Sequence, residues 1–163
     1  MTARIIVVEL ARLEAAHLAG IVGQFLDLVA DTAPEAGDPA IGRLVPPAYA
    51  DAADAREFRD LTQAHLLDRR RTDAGLVLAS LAGAAEIPDD PEDPALMEPV
   101  EVRLDPDAAQ AWLRTLAAVR LVLATRLEIT GPQDYDPDDP RFGIYEWLGY
   151  RLDGLVAALD GDM

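Results

Sequence analysis

The apolar residues of this chain recur mainly at helical spacing. The first clear run has apolar residues at intervals of three or four, namely Leu18, Val22, Phe25 and Val29. This pattern predicts a helix over residues 13–30. The segment before it, RIIVVEL at residues 4–10, is rich in β-branched residues and predicts a short strand. The chain is therefore expected to open with a strand that leads into a helix.

The longest helical pattern covers residues 54–85. Its expected buried stripe runs through Phe58, Leu61, His65, Thr72 and Leu76 and is widened by Leu66, Val77 and Leu81. We expect His65 to be a packed histidine bonded to a neighbouring acceptor, because a zinc site would need three or four ligands together. Gly75 lies inside this helix and favours a bend or break there.

A second strand and two further helices complete the pattern. Residues 100–104, VEVRL, alternate and predict a strand. Asp105 followed by Pro106 is a typical helix start, and this helix is expected to reach about residue 128. A last helix is expected over 140–159. Since lone strands leave backbone groups unpaired, we expect the two strands to pair with each other, in a direction that the sequence leaves open.

These elements predict a mainly α fold. We expect one helical domain over residues 1–163, a bundle of about four main helices with a small two-stranded β element. Acidic, proline-rich loops are expected at residues 86–99 and 131–140. An internal echo supports this architecture, since both strands end in a Leu and lead into helices with the same apolar phase.

The acidic charge is concentrated in two segments. The net charge is −16, of which residues 86–107 carry −8 and residues 131–140 carry −4. The rest of the chain is therefore nearly balanced. Long-range electrostatics disfavour polyanions such as nucleic acid, although a local arginine patch remains open. An acidic surface that mimics nucleic acid is a weaker alternative, because the many prolines indicate loops.

The composition excludes thiol chemistry. The chain has no Cys, so it holds no disulfide, thiolate metal site, thiol catalyst or thiol sensor of its own. The first residues show no secretory signal, and no run of about 18 apolar residues predicts a membrane span. We therefore expect a cytoplasmic protein with no membrane partner.

A search for catalytic and metal-binding motifs finds little. With no Lys there is no phosphate-binding loop of the Walker type, and Ser80 is the only serine. The run DYDPDD at 134–139 resembles the first half of a calcium loop, but Asp139 stands where the turn glycine belongs and Tyr145 where the bidentate Glu belongs. The sequence therefore predicts no catalytic residue, no cofactor and no metal, and a protein that is not an enzyme.

The arginines offer the main candidate sites. Five of them lie between residues 54 and 73, where five acids balance them: Arg56, Arg59, Arg69, Arg70 and Arg71. An exposed, ion-paired helix surface is the simpler interpretation, and a patch that binds a partner or an anion is the sharper one. Arg120 lies in the most apolar helix, where a buried charge requires a carboxylate partner. The alternative for Arg120 is a guanidinium that binds a ligand in a pocket.

Three blocks of the sequence resemble a known family. They are RLVPPAYADAADAREFRDLT at 43–62, AWLRTLAAVRLVLATRLEIT at 111–130 and IYEWLGYRLDGLVAAL at 144–159. Together they resemble an actinobacterial family filed as a domain of unknown function, whose better-annotated members are the AosR oxidative-stress transcriptional regulators. The resemblance covers almost the whole chain. It implies a cytoplasmic regulator or adaptor that acts through macromolecular contacts, and it brings no catalytic motif with it.

Three functions therefore compete at this point. The first is a non-enzymatic regulator or adaptor that binds a protein partner, with the transcription machinery as a candidate. The second is a direct DNA-binding regulator that uses the helix arginines, against which the net charge counts. The third is an enzyme with a pocket around Arg120, which a cavity with convergent polar groups would favour. The sequence leaves the partner, the effector and the oligomeric state open.

Overall fold

Two strands and four helices account for most of the described chain. The computed structural model describes residues 4–31, 52–128, 138 and 142–160, and at 31, 52–61 and 63 this covers the backbone alone. The elements, in chain order, are β1 (Ile6–Ala11), α1 (Arg12–Asp31), α2 (Ala52–Leu81), a 3-10 turn (Pro94–Met97), β2 (Pro99–Leu104), α3 (Pro106–Arg126) and α4 (Gly143–Asp160). The predicted mainly helical fold with a small β element is confirmed.

The two strands pair with each other, as predicted, and they do so antiparallel. The register places Ile6 opposite Leu104 and Ala11 opposite Pro99. The predicted start of α3 is also confirmed, because the Asp105 carboxylate accepts the Ala108 N–H at 2.8 Å. Pro106, which has no N–H of its own, occupies the first helical position.

The four helices pack in sequence order around one core. α1 packs on α2, α2 on α3, and α3 on α4, while α1 also contacts the turn before β2. The largest fully buried side chains include Leu10, Leu18, Trp112, Leu116 and Leu148. The apolar α3 is covered on both sides, as its composition predicts.

The buried face of α2 differs from the predicted stripe. His65, Thr72 and Leu76 are exposed, and the residues that face the core are Leu67, Asp73, Ala74, Val77 and Leu81. Val77 and Leu81, which the predicted stripe includes, are buried as expected, whereas the buried Asp73 and Val77 follow the exposed Thr72 and Leu76 by one residue, which is about 100° around a helix. The side chains of Phe58 and Leu61 lie outside the described residues. The prediction was wrong because Asp73, a polar residue, occupies the core face, and the search for an apolar stripe passed over it.

Two further predictions about α2 are corrected. The helix runs without interruption from Ala52 to Leu81, so Gly75 does not break it. The helix ends at Leu81, four residues before the expected end. The exposed acidic segment that follows is anchored by Arg12, whose guanidinium donates to the carbonyls of Gly83 and Glu86 at 3.3 and 3.2 Å. The second acidic segment, 131–140, lies outside the described residues apart from Asp138.

α1 is apolar enough to raise the question of a membrane. Among the described helices, the stretch Arg12–Ala30 has the length and composition that could cross one. One face of the same helix, with Leu18, Val22 and Phe25, is buried in the core of this fold. The apolar residues of α1 therefore have partners within the chain.

Candidate functional site

One edge of β1 is free of the sheet. The Arg12 N–H donates to the Glu98 carbonyl at 3.0 Å and extends the ladder one step beyond Ala11 and Pro99. Hydrogen-bonded pairs alternate along an antiparallel ladder, so even-numbered residues of β1 turn their backbone groups toward β2. Val7 and Glu9 turn theirs to the opposite edge. Within the described chain, no group pairs with the N–H or the C=O of Val7.

The side chains at this edge are apolar and exposed. Val7 is 49% exposed and the neighbouring Ile5 is 48% exposed, although β-branched residues of a strand usually pack against something. Tyr150, on the facing side of α4, is 70% exposed. An exposed apolar group beside an unpaired strand edge is typical of a surface that another chain covers.

A groove runs between this edge and α4, and we call it the β1–α4 groove. Its volume is about 480 Å³, and its walls are Ile6–Glu9 of β1 together with Tyr150, Arg151, Asp153, Gly154, Leu155 and Ala158 of α4. Leu155 is buried and Ala158 is half-buried, so the groove has an apolar lining with acidic groups at its rim. Such a channel suits a short extended chain.

Arg151 fixes α4 beside the strand. Its Nη1 donates to the Glu9 carbonyl at 3.1 Å, on the edge that faces away from β2. Its Nη2 donates to Glu14 Oε2 at 3.0 Å, and the guanidinium lies 5.6 Å from the Trp147 ring and 5.5 Å from the Tyr150 ring. Arg151 therefore holds the α4 wall of the groove against the β1 wall.

Glu14 is the centre of this anchor. Its Oε1 accepts the Ala11 N–H at 3.0 Å, and its Oε2 accepts Trp147 Nε1 at 2.7 Å as well as Arg151. Partial burial is the largest single influence and opposes ionisation, but these hydrogen bonds and the charge of Arg151 together outweigh it, and the pKa of Glu14 is lowered. These contacts thus stabilise the ionised form of the carboxylate and give Glu14 a structural role.

A second cleft lies on the other side of this anchor. It has a volume of about 610 Å³ between α1 and α4, and it is lined by Glu14, Ala16, His17, Gly20, Ile21, Gln24, Gly143, Ile144 and Trp147. His17 is exposed. Three donors, from Ala11, Trp147 and Arg151, already bind the Glu14 carboxylate. Among the described residues, no group of three His, Asp or Glu is placed to hold a metal ion.

The structure describes the side chains of three of the five arginines in the predicted patch. Arg56 and Arg59 belong to α2, but their side chains lie outside the described part of the chain. Arg69 is exposed, whereas Arg70 turns inward and donates to the Arg114 carbonyl at 3.4 Å, and burial lowers its pKa. Arg71 pairs with Asp68 at 2.9 Å on the surface. The described arginines therefore point in different directions, and direct DNA binding through them stays a prediction.

Within the described chain, Arg120 contacts an aromatic ring and a carbonyl in place of the carboxylate partner that its position predicts. Its guanidinium stacks over the Tyr145 ring, 3.9 Å from the ring centre, and Nε donates to the Tyr145 carbonyl at 3.3 Å. No carboxylate of the described chain forms an ion pair with it. A ring face and a carbonyl replace the ion pair because Arg120 is half-buried and not fully buried. The side chain joins α3 to α4, which favours a structural role.

The important residues of this region were missed in the sequence. Glu14 lies three residues after Ala11, the spacing of a helix start at which a Glu reaches back to a backbone N–H, and this signal was available. The exposed edge at Val7 had no such signal, because a strand's pairing partner and its free side are properties of the assembled sheet.

Comparison with known proteins identifies the family. Residues 1–159 match the model of the family described as Domain of unknown function (DUF2017), and the chain belongs to that family. A search of curated proteins and a search of solved structures each found no match.

Proposed function

We propose that this member of the DUF2017 family is a non-enzymatic regulator or adaptor that binds a partner protein in the β1–α4 groove. The observation that carries the proposal is the unpaired edge at Val7, flanked by exposed Ile5 and Tyr150. A free strand edge with apolar side chains has a strong tendency to pair with another polypeptide.

The residue types of the groove suit a protein interface. Tyr and Arg are enriched where proteins bind each other, because their large side chains bury much surface while keeping hydrogen-bonding groups. Tyr150 is the most exposed aromatic residue in the described chain that lines a groove. The anchor of Arg151 and Glu14 keeps this surface preorganised, which lowers the entropic cost of binding.

The finer part of the proposal rests on the resemblance to the AosR regulators. On this part of the proposal, the protein acts in the cytoplasm of an actinobacterium and its partner belongs to the transcription machinery. The AosR link to oxidative stress would then have to act through that partner, since a chain without Cys cannot sense oxidants by its own thiols.

Photo-crosslinking tests the proposal. A photoreactive p-benzoylphenylalanine replaces Tyr150 in cells that express the chain natively, and the same residue replaces the exposed Gln110 of α3 as the control. We expect a discrete protein adduct from position 150 and none from position 110. The same adducts from both positions, or none from 150, would contradict the proposal.

A matched pair of variants shows whether the adduct depends on the groove. Ile5→Asp places a charge on the apolar edge, and Ile87→Asp places the same charge on an exposed isoleucine elsewhere. We expect the adduct to disappear with Ile5→Asp and to persist with Ile87→Asp. An adduct that survives both changes does not come from binding in this groove.

A further inference from the structure

We infer that the partner enters the β1–α4 groove as an extended, basic segment that adds a strand to the free edge of β1. The inference rests on the proposed function and gives its partner a conformation and a charge. It has two separate supports, namely the backbone groups that the edge offers and the charge of the side chains around it.

The backbone of Val7 offers one complete pairing position. Its N–H and its C=O both point away from β2, and the described chain supplies no partner for either. The next outward carbonyl, that of Glu9, is already bound by Arg151 at 3.1 Å. Arg151 therefore marks one end of the usable edge. At the other end Arg4 Nη2 donates to the Ala158 carbonyl of α4 at 2.6 Å, so the open part lies between these two bridges, at Val7 and Ile5. An extended peptide satisfies such an edge by main-chain hydrogen bonds.

The groove has the dimensions of a strand. The β1 wall runs from Ile6 to Glu9, which is about 13 Å for four extended residues. On the opposite wall, a Cβ at Gly154 would meet no atom within 4 Å, so this part of α4 leaves open space for an incoming backbone. Leu155 and Ala158 provide an apolar surface for the inward side chains of a strand.

The charge of the groove selects a basic segment. Glu9 and Asp153 line it, and both are exposed. Asp153 belongs to an exposed acidic stripe on α4, in which Glu146, Asp153 and Asp160 recur every seven residues and so share one face. Arg151, the arginine that lines the groove, pairs with Glu14 at 3.0 Å, and the guanidinium of Arg4 lies at one end of the groove, on the Ala158 carbonyl. The net charge of −16 adds a long-range attraction for cations.

A basic partner is favoured over a second copy of this chain. Two copies would bring together two molecules of charge −16, and their acidic α4 stripes would approach each other across the shared edge. A basic segment instead meets opposite charge and an exposed ring, Tyr150, on which a cation can stack.

Defined peptides test the inference. The probes are two labelled seven-residue peptides, one with alternating Val and Lys and one with alternating Val and Glu, titrated with the full chain by fluorescence anisotropy. We expect the Lys peptide to bind and the Glu peptide to bind at least about tenfold more weakly. Equal binding of the two peptides, or no binding of the Lys peptide at millimolar concentration, overturns the inference.

Methylation of the peptide backbone tests strand addition without altering the protein. Alternate residues of a strand turn their N–H groups to opposite sides. N-methylation of all Val residues therefore blocks the donors along one edge of the peptide, and N-methylation of all Lys residues blocks those along the other edge. We expect one set, and not the other, to weaken binding about tenfold, in line with lost backbone hydrogen bonds. Equal effects of both sets contradict pairing along one edge.

Variants of the chain locate the pairing. Val7→Pro removes the outward N–H of Val7 and leaves the ladder to β2 intact, because that N–H takes no part in it. We expect about tenfold weaker binding of the Lys peptide, against little change for Val7→Thr, with circular dichroism confirming that both variants fold. Asp153→Asn should weaken binding of the Lys peptide about two- to fivefold and should not weaken binding of the Glu peptide. Unchanged binding in both Val7→Pro and Asp153→Asn overturns the inference.

The two proposals fail in different ways. A crosslink at Tyr150 that persists in Val7→Pro leaves partner binding in place and removes strand addition. Absence of any crosslink removes the proposed function itself. Sedimentation equilibrium tests whether a second copy of the chain binds the edge instead. A wild-type dimer that dissociates in Val7→Pro would show that it does, and this would overturn the inference.

Discussion

Arg114 of α3 donates two parallel hydrogen bonds to the carboxylate of Asp73 of α2. Nε lies 2.8 Å from Oδ2 and Nη2 lies 3.0 Å from Oδ1, while the Asp73 side chain is 5% exposed. The bonds to Asp73 raise the pKa of Arg114. The fork shape of the guanidinium matches the carboxylate, and this explains how an acid can occupy the core face of α2.

Removal of Arg114 should therefore be costly. Arg114→Ala leaves a buried carboxylate without its partner, and we expect the free energy of unfolding to fall by about 3 kcal/mol. Arg114→Lys should recover only part of this loss, because an ammonium cannot make the paired bonds. Urea unfolding measures both. The control is Arg71→Ala, whose exposed pair with Asp68 should cost less than about 0.5 kcal/mol. Equal losses in Arg114→Ala and Arg71→Ala would contradict this account.

The corrected face of α2 gives a second prediction. Leu81 is fully buried and Leu76 is 43% exposed, although both belong to the stripe predicted from the sequence. We expect Leu81→Ala to lower the free energy of unfolding by about 3 kcal/mol and Leu76→Ala by less than about 1 kcal/mol. Chemical denaturation of the two variants measures both losses, and a larger loss at Leu76 than at Leu81 would contradict the buried face that the structure gives to α2.

Glu14 makes part of the stability depend on pH. Its pKa is lower in the folded chain than the ordinary value of 4.5, so its contribution is present above that value and is lost as the pH falls through the folded pKa. We expect Glu14→Gln to be about 1 kcal/mol less stable than the wild type at pH 7, and this gap to narrow as the pH falls below about 4.5. Unfolding midpoints at several pH values measure it.

The matched control for Glu14 is an exposed carboxylate on α4. Glu146→Gln removes one acid of the same type from a position outside the anchor. Its stability difference from the wild type should change less with pH than that of Glu14→Gln. A gap for Glu14→Gln that stays constant or widens on acidification would show that the carboxylate is not held ionised by Arg151 and Trp147.

Gly149 gives a fourth prediction, through the position of Arg120. A Cβ at Gly149 would lie 3.1 Å from Arg120 Nε, whereas a Cβ at Gly75 would meet nothing within 4 Å. Both glycines are in helices, where Ala is favoured by about 1 kcal/mol. We expect Gly75→Ala to stabilise the chain and Gly149→Ala to gain nothing. In an Arg120→Met background, Gly149→Ala should become stabilising, and thermal unfolding of the four variants completes the cycle. If Gly149→Ala stabilised the chain as much as Gly75→Ala, the Arg120 guanidinium would be able to move away from the new Cβ at no cost.

Local chemistry allowed the sequence to specify most of the secondary structure. The apolar spacing around Leu18 and Val22, the β-branched run before it, and the pair Asp105–Pro106 each act within a few residues, and the structure confirms the elements that they predict. The pairing of the two strands also followed from the sequence. Buried backbone groups must find partners, and the sequence predicted one other strand that could supply them.

The assembled fold alone decided which surfaces face each other. The phase of α2 depended on Arg114 reaching Asp73 from forty-one residues away, and the stacking of Arg120 on Tyr145 depended on α4 lying beside α3. The free edge at Val7 likewise exists because, within the described chain, β1 has a strand partner on one side, β2. Such relationships join residues far apart in the chain, so spacing along the sequence carries no record of them.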